Sequence, residues 1–189
     1  LDMLLDSIDY RKLDEALKEA VGMGVVMFNS FKPMLISSFL IMNFIEGEIA
    51  SFELTLTEMA KEREMTITGL ETVEYQMRIF DEVPYEDQVK DLLEMINEEE
   101  RLAKQFRTMI KAYQGEDLDA LYRLTQEDAA SEMELELMLY KRNSEWVSKI
   151  DSISEASKTF FAVGAAHLGG EKGLVNLLRE AGYKLTPVY

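Results

Sequence analysis

The sequence contains no cysteine and only one histidine, His167. The absence of cysteine excludes disulfides, thiol nucleophiles and cysteine-ligated zinc, and it leaves the redox compartment of the protein open. A catalytic zinc generally has three protein ligands, most often with histidine among them, so carboxylates would have to complete any site built on His167. Oxygen-rich sites of that kind suit magnesium, manganese or calcium better than zinc.

Basic side chains are also scarce, since 20 lysines and arginines stand against 36 acidic residues, which gives a net charge of −16. Such a surface repels a phosphate backbone and an anionic membrane surface, which argues against nucleic acid as a partner. No apolar run is long enough to span a membrane, because the longest, Met34–Ile45, is shorter than the roughly 20 residues required. We expect a buried helix there.

Apolar residues repeat with the period of an α-helix along most of the chain. A first helix, ending near Gly22 and Gly24, has one apolar face made of Leu13, Ala16, Leu17, Ala20 and Val21. Further helices are predicted at about residues 34–44, 52–63, 84–113, 117–124, 130–151 and 171–181, and the second of these is expected to direct Leu54, Leu56 and Met59 towards a core.

Three short segments have the alternation and the β-branched or aromatic content of strands: Met65–Leu70, Thr159–Val163 and Tyr183–Tyr189. Strands separated by helices predict an α/β fold, here helix-rich with a small central sheet covered by helices. No internal repeat or low-complexity linker is present, so a single domain over residues 1–189 is the simplest partition.

Two candidate site residues follow predicted strands. Ligands of open α/β sheets bind beyond the carboxyl ends of the strands, so Glu71 and His167 should share one edge if their strands are parallel. A lone histidine at a strand end is more often structural than catalytic. Gly164, the Gly169-Gly170 pair and the N-terminus of the next helix favour the second role, because together they could hold an anion or a metal-bound hydroxide.

The neighbouring acidic and basic candidates have ordinary explanations too. Glu71 and Glu74 could each be a metal ligand, a general base or a solvated surface charge. Gln76 is placed to orient Glu71 through a hydrogen bond. Arg142 either neutralises a helix dipole or an acidic neighbour, or holds a carboxylate or a developing oxyanion. Asn143 is suited to capping a neighbouring loop.

Three segments of the sequence together match the motifs of a known protein family. They are Gly69-Leu70-Glu71 with Glu74 and Gln76, Arg142-Asn143 followed by Trp146 and Ile150, and Gly164-x-x-His167 followed by Gly169-Gly170, a helix beginning near Gly173 and the pair Gly182-Tyr183. With these motifs the chain resembles the TraB/GumN family, which includes the Tiki proteins. The resemblance runs from about Ala50 to the end of the chain and, more loosely, back to its beginning.

The resemblance implies an α/β arrangement similar to that of ChaN-like and erythromycin-esterase-like proteins, and metal-dependent hydrolysis of peptides by two GxxH motifs and one glutamate. By position, Gly164 and His167 match the second GxxH motif, Glu71 matches the glutamate and Arg142 matches a recurrent arginine. His167 and Glu71 would then bind a divalent ion (manganese, cobalt or zinc). Glu71 or Glu74 would act as general base, and Arg142 would stabilise the tetrahedral intermediate.

The first GxxH motif has no counterpart here, which indicates either an N-terminally truncated member or a degenerate one. The resemblance favours a periplasmic or secreted protein with a peptide or protein substrate, and the alternative is a non-catalytic binding or regulatory module on the same scaffold. A missing strand would expose a sheet edge or an apolar face, so a homodimer is expected. If Glu71 and His167 share a metal, the carboxylate and imidazole should lie within about 6 Å of each other.

Overall fold

The computed structural model describes residues 1, 3–45, 47, 50–129 and 131–188, and helices dominate it. The α-helices are α1 (Ser7–Val21), α2 (Pro33–Leu40), α3 (Phe52–Glu62), α4 (Val73–Glu82), α5 (Tyr85–Asn97), α6 (Glu99–Gln114), α7 (Leu118–Asp128), α8 (Glu132–Leu135), α9 (Lys141–Ala156) and α10 (Leu174–Glu180). Short 3-10 turns cover Val25–Phe28, Ile41–Phe44 and Ala165–His167, and a π-helical segment, Glu136–Tyr140, joins α8 to α9.

The chain divides into two compact units, Leu1–Lys104 and Gln105–Tyr189, with the boundary inside α6. The single domain expected from the sequence stays a prediction, and the two units are described separately. None of the helices among the described residues has the length and apolarity that crossing a membrane demands, in agreement with the prediction that Met34–Ile45 is too short to span one.

The first unit is built around α1, α2 and α5. Helix α1 begins where the Asp6 carboxylate accepts hydrogen bonds from two backbone N–H groups, and it ends at Gly22, whose φ of 72° suits a residue without Cβ. Its predicted apolar face is confirmed at the two positions that are fully buried, Leu13 and Leu17. They pack with Leu1, Val25, Phe28, Ile36, Leu40 and Leu92 in one hydrophobic core.

The second unit packs α10 on α9 and sets α7 against the turn that contains His167. Its buried apolar side chains are Leu121, Leu135, Leu137, Leu139, Trp146, Ile150 and Leu174. The predicted C-terminal end of the last helix is confirmed, since Gly182 follows α10 with a φ of 95°.

The predicted α/β fold with a small central sheet is wrong, because no β-strand occurs in the described part of the chain. Met65–Leu70, Thr159–Val163 and residues 183–188 are non-helical but unpaired with any strand, and Tyr189 lies outside the described residues. Strand propensity is realised only where a neighbouring strand completes the hydrogen bonds and one face is buried. Here Phe160 of the second segment is 71% exposed.

The helix boundaries need smaller corrections. Helix α3 forms where expected but directs none of its side chains into a core, and Leu54 is 68% exposed. Helix α4 was not predicted, and it begins where the Thr72 hydroxyl accepts a hydrogen bond from Tyr75 N. The helix predicted at about residues 84–113 is two helices that meet at Glu98, where φ is −121°.

Candidate functional site around His167

His167 closes a short 3-10 turn and is buried, with 7% of its surface exposed. Its backbone N–H donates to the Gly164 carbonyl at 3.0 Å, so the two named residues of the GxxH motif form the turn together. A Cβ at Gly164 would lie 3.8 Å from His167 Cδ2, an ordinary van der Waals contact. A side chain at position 164 would therefore not collide with the imidazole ring.

Asn143 of α9 contacts both ends of the segment that follows the turn. Its Oδ1 lies 2.7 Å from His167 Nδ1, and its Nδ2 donates to the carbonyls of His167 at 3.3 Å and Lys172 at 2.9 Å. Only 1% of Asn143 is exposed, and its two contacts with His167 are buried. The interpretation of Asn143 as a residue that caps a loop is confirmed, and the loop is the one that contains His167.

The aromatic ring of Trp146 covers the imidazole, with the two ring centroids 4.4 Å apart and the planes inclined by 37°. The Arg142 guanidinium also contacts Trp146, with Cζ 5.0 Å from the ring centroid, and its Nη1 donates to Met138 O at 2.7 Å. Arg142 is the second residue of α9, far from its C-terminus, so dipole neutralisation is not its role. The structure brings Arg142 and His167 to the same tryptophan.

The glycine pair of the loop packs directly on Tyr122 of α7. A Cβ on Gly169 would lie 2.9 Å from Tyr122 Cβ, and one on Gly170, where φ is 80°, would lie 2.2 Å from Tyr122 Cζ. A Cβ on Gly173 would lie 2.1 Å from the Gly169 carbonyl oxygen. The three glycines are therefore required by the tight turn and by the close contact with α7.

A hydrogen bond to Tyr140, burial, and electrostatic interactions with Tyr140 and Glu171 raise the pKa of Tyr122 from 10.0 to about 12. In the unfolded chain Tyr122 ionises near pH 10, whereas in the folded protein it keeps its proton until about pH 12. The contribution to stability is thus fully present below pH 10 and is lost as the pH rises from about 10 to 12.

We expect the free energy of unfolding to fall between about pH 10 and pH 12, and Tyr122→Phe to remove part of that decline. Urea unfolding at several pH values measures the decline in each variant. Tyr85→Phe, at an exposed position, is the control that should keep it. Tyr183, whose pKa is raised by its hydrogen bond to Asp151, adds a second contribution that both variants retain. An identical alkaline decline in wild type and Tyr122→Phe would contradict the assignment.

The two predicted glutamates lie in the first unit. Glu71 is half-buried, and its Oε2 accepts a hydrogen bond from Gln76 Nε2 at 3.2 Å, which confirms the predicted pair. Glu74 is exposed in the first turn of α4, where its own backbone N–H, the Thr72 hydroxyl and Arg78 lower the pKa of its carboxyl group. At this position the Glu74 carboxylate stabilises the start of α4.

The model of the TraB/PrgY/gumN family matches residues 1–187, nearly the whole chain. The chain belongs to the TraB/PrgY/gumN family. No curated protein and no solved structure matched it. The family recognised from the motifs at Glu71, Arg142 and His167 is thereby confirmed, and the match extends over the N-terminal helices, for which the resemblance was looser.

For this member of the TraB/PrgY/gumN family, Arg142 and His167 lie in one unit and Glu71 and Glu74 in the other. The predicted distance of about 6 Å between the Glu71 carboxylate and the His167 imidazole stays a prediction. Among the described residues no group of three or more histidines and acidic side chains is arranged to hold a metal ion. Imidazole is a side chain of the metal-ligating type, and the His167 ring makes its 2.7 Å contact with Asn143 Oδ1 through Nδ1.

Two contacts of this family member's candidate site were not predicted. The sequence predicts that Asn143 caps a loop but not that it contacts the imidazole, and it predicts no role for Tyr122. The spacing of Arg142, Asn143 and Trp146 places them on neighbouring positions of one helical surface, and that was a usable signal. Tyr122 had none, because its role comes from packing against a glycine pair that is distant in sequence.

Proposed function

We propose that this TraB/PrgY/gumN family chain is a metal-dependent, peptidase-like hydrolase that acts on a peptide or protein substrate, with His167 as its histidine ligand. The supporting observation is the buried imidazole whose Nδ1 lies 2.7 Å from Asn143 Oδ1. Metal-bound histidines almost always use their second ring nitrogen in a hydrogen bond of this kind, which orients the ring.

The proposal assigns Glu71 as the carboxylate ligand, in keeping with its family position and with the hydrogen bond from Gln76 that orients it. A bound manganese, cobalt or zinc ion would supply an activated water molecule for attack on a peptide carbonyl. Arg142 is proposed to stabilise the negative charge that develops on the carbonyl oxygen, and Glu74 is the second candidate for the general base.

The proposal predicts that manganese, cobalt or zinc binds the metal-depleted chain at one site and that His167→Gln abolishes this binding. Titration calorimetry measures the affinity, and mass spectrometry of a peptide mixture measures hydrolysis in the same samples. Glu62→Gln, which removes an exposed carboxylate at the end of α3, is the control that should change neither. Binding that is equal in wild type and His167→Gln would contradict the role of His167.

A non-catalytic binding or regulatory module is the second candidate, and the single histidine favours it, since metallohydrolases usually have more than one. This candidate predicts no cleavage of any peptide, even when the chain is saturated with metal. Metal-dependent cleavage that is lost in His167→Gln would rule it out.

We also propose that the chain forms a homodimer. Residues 22–31 contain no charged side chain in an otherwise acidic protein, and Val26 and Met27 are 71% and 66% exposed there. Light scattering should give twice the 21.7 kDa chain mass, and Val26→Glu should give the monomer. Met3→Glu, at an exposed apolar position outside this stretch, should leave the dimer intact. A wild-type monomer at high concentration would contradict the proposal.

A further inference from the structure

We infer that Asn143 is the positioning residue that holds the His167 imidazole in the tautomer with its proton on Nδ1, so that the lone pair of the neutral ring lies on Nε2. The tautomer follows from the hydrogen-bond geometry alone. Its consequence, that Nε2 is the nitrogen that binds metal, rests on the proposed function.

The orientation of the Asn143 amide follows from the groups around it. Its Nδ2 lies 3.3 Å from His167 O and 2.9 Å from Lys172 O, and backbone carbonyls can only accept hydrogen bonds. Rotating the amide by 180° would direct Oδ1 at two carbonyl oxygens and lose both bonds. The two carbonyls therefore place Oδ1 towards the imidazole.

The orientation of the amide then determines the protonation of the ring. Asn143 Oδ1 is an acceptor without a proton, so its 2.7 Å contact with His167 Nδ1 is a hydrogen bond only if Nδ1 donates. The other neutral tautomer would set two lone pairs against each other in a buried site. Neutral imidazole in water favours the proton on Nε2, so Asn143 reverses the ordinary preference of the side chain.

The side chain of Lys172, whose carbonyl orients the amide, contacts the helical stretch that precedes α9. The Lys172 ammonium group pairs with Glu136 at 2.9 Å and lies 4.6 Å from the centroid of the Tyr140 ring, and both partners belong to the π-helical segment before α9. Trp146, one turn beyond Asn143, covers the imidazole from the same helix. The loop at residues 167–172 and the His167 ring therefore both contact the helical stretch that carries the Asn143 amide.

The single histidine makes the test unambiguous, because every imidazole signal of the chain comes from His167. Long-range proton–nitrogen spectra of the nitrogen-15-labelled, metal-free chain at about pH 8 report which ring nitrogen carries the proton, above the usual titration range of imidazole. We expect a protonated Nδ1 and an unprotonated Nε2 in the wild type. Asn143→Ala should shift the ring to the Nε2-protonated tautomer, whereas Asn143→Asp, which keeps an acceptor at this position, should preserve the wild-type tautomer.

A merely structural role would give a different pattern. An aspartate loses both bonds to the loop carbonyls, so Asn143→Asp should be destabilised like Asn143→Ala, and only the tautomer separates the two variants. Protonated Nε2 in the wild type overturns the inference, and so does an Asn143→Ala variant that keeps the proton on Nδ1. If Asn143→Ala does not fold, Asn143→Leu takes its place in the experiment. If neither variant folds, the wild-type spectrum alone determines whether Nδ1 or Nε2 carries the proton.

Zinc affinity gives a second measurement that depends on the proposed function. Asn143→Ala should weaken zinc binding by about 10–100-fold, and Asn143→Asp should weaken it less. Unchanged affinity in a variant whose tautomer has shifted would overturn the assignment of Nε2 as the metal-binding nitrogen. A wild-type chain that binds no metal would contradict the proposed function but not the tautomer, which is measured in metal-free protein.

Discussion

Asn143→Ala should lower the free energy of unfolding by about 3 kcal/mol, because it removes three hydrogen bonds from a buried site. The carbonyls of His167 and Lys172 and the imidazole Nδ1 would each lose a buried partner, and leaving one such group unsatisfied costs about 1–3 kcal/mol. The loss falls short of the full sum because a water molecule can enter the space of the deleted amide.

Trp146 provides the measurement, since it is the only tryptophan of the chain and it stacks on His167. Urea unfolding followed by its fluorescence reports on the unit that contains the mutation. Ser144→Ala is the matched control on the adjacent position of α9, where the side chain is exposed, and it should change stability by less than about 0.5 kcal/mol. If Asn143→Ala lowered the free energy of unfolding by less than about 1 kcal/mol, the hydrogen bonds of the amide would not be what stabilises the packing of the loop on α9.

The success of the helix predictions and the failure of the strand predictions have one physical cause. A helix satisfies its backbone hydrogen bonds within itself, so the spacing of Leu13 and Leu17 and the glycine at 22 were enough to locate α1. A strand needs a second segment beside it, and the alternation in Met65–Leu70 carries no information about whether one exists. No described residue forms a strand beside that segment, so its β-branched residues do not form a sheet.

The candidate site could be predicted only in part, for a related reason. The GxxH motif located His167, and the positions of Arg142 and Trp146 one turn apart on a helix indicated a common surface. The hydrogen bond between Asn143 and the imidazole joins residues 24 apart in sequence, so the helical spacing indicates the surface on which Asn143 lies but not its partner. Whether Glu71 belongs to the same site depends on the arrangement of two units, and a motif at either residue does not determine that arrangement.

Gly170→Ala should also lower the free energy of unfolding by about 3 kcal/mol, through backbone strain and through a collision with Tyr122. Gly170 has a φ of 80°, and an alanine in this left-handed region costs about 1–2 kcal/mol. Its Cβ would lie 2.2 Å from Tyr122 Cζ, and relieving such overpacking typically costs a further 1–3 kcal/mol or so. The tyrosine ring cannot simply rotate away, because it forms hydrogen bonds with Tyr140 and Gln126.

Gly182 offers a matched control, since its φ of 95° is also positive but a Cβ there would meet no atom within 4 Å. Gly182→Ala should therefore cost only the backbone strain, about 1 kcal/mol, in the same urea titration. In a Tyr122→Ala background the cost of Gly170→Ala should fall to about that of Gly182→Ala, a coupling of about 2 kcal/mol between the two positions. If Gly170→Ala lowered the free energy of unfolding equally in both backgrounds, Gly170 would be required only by the backbone conformation of the turn. Its contact with Tyr122 of α7 would then contribute nothing.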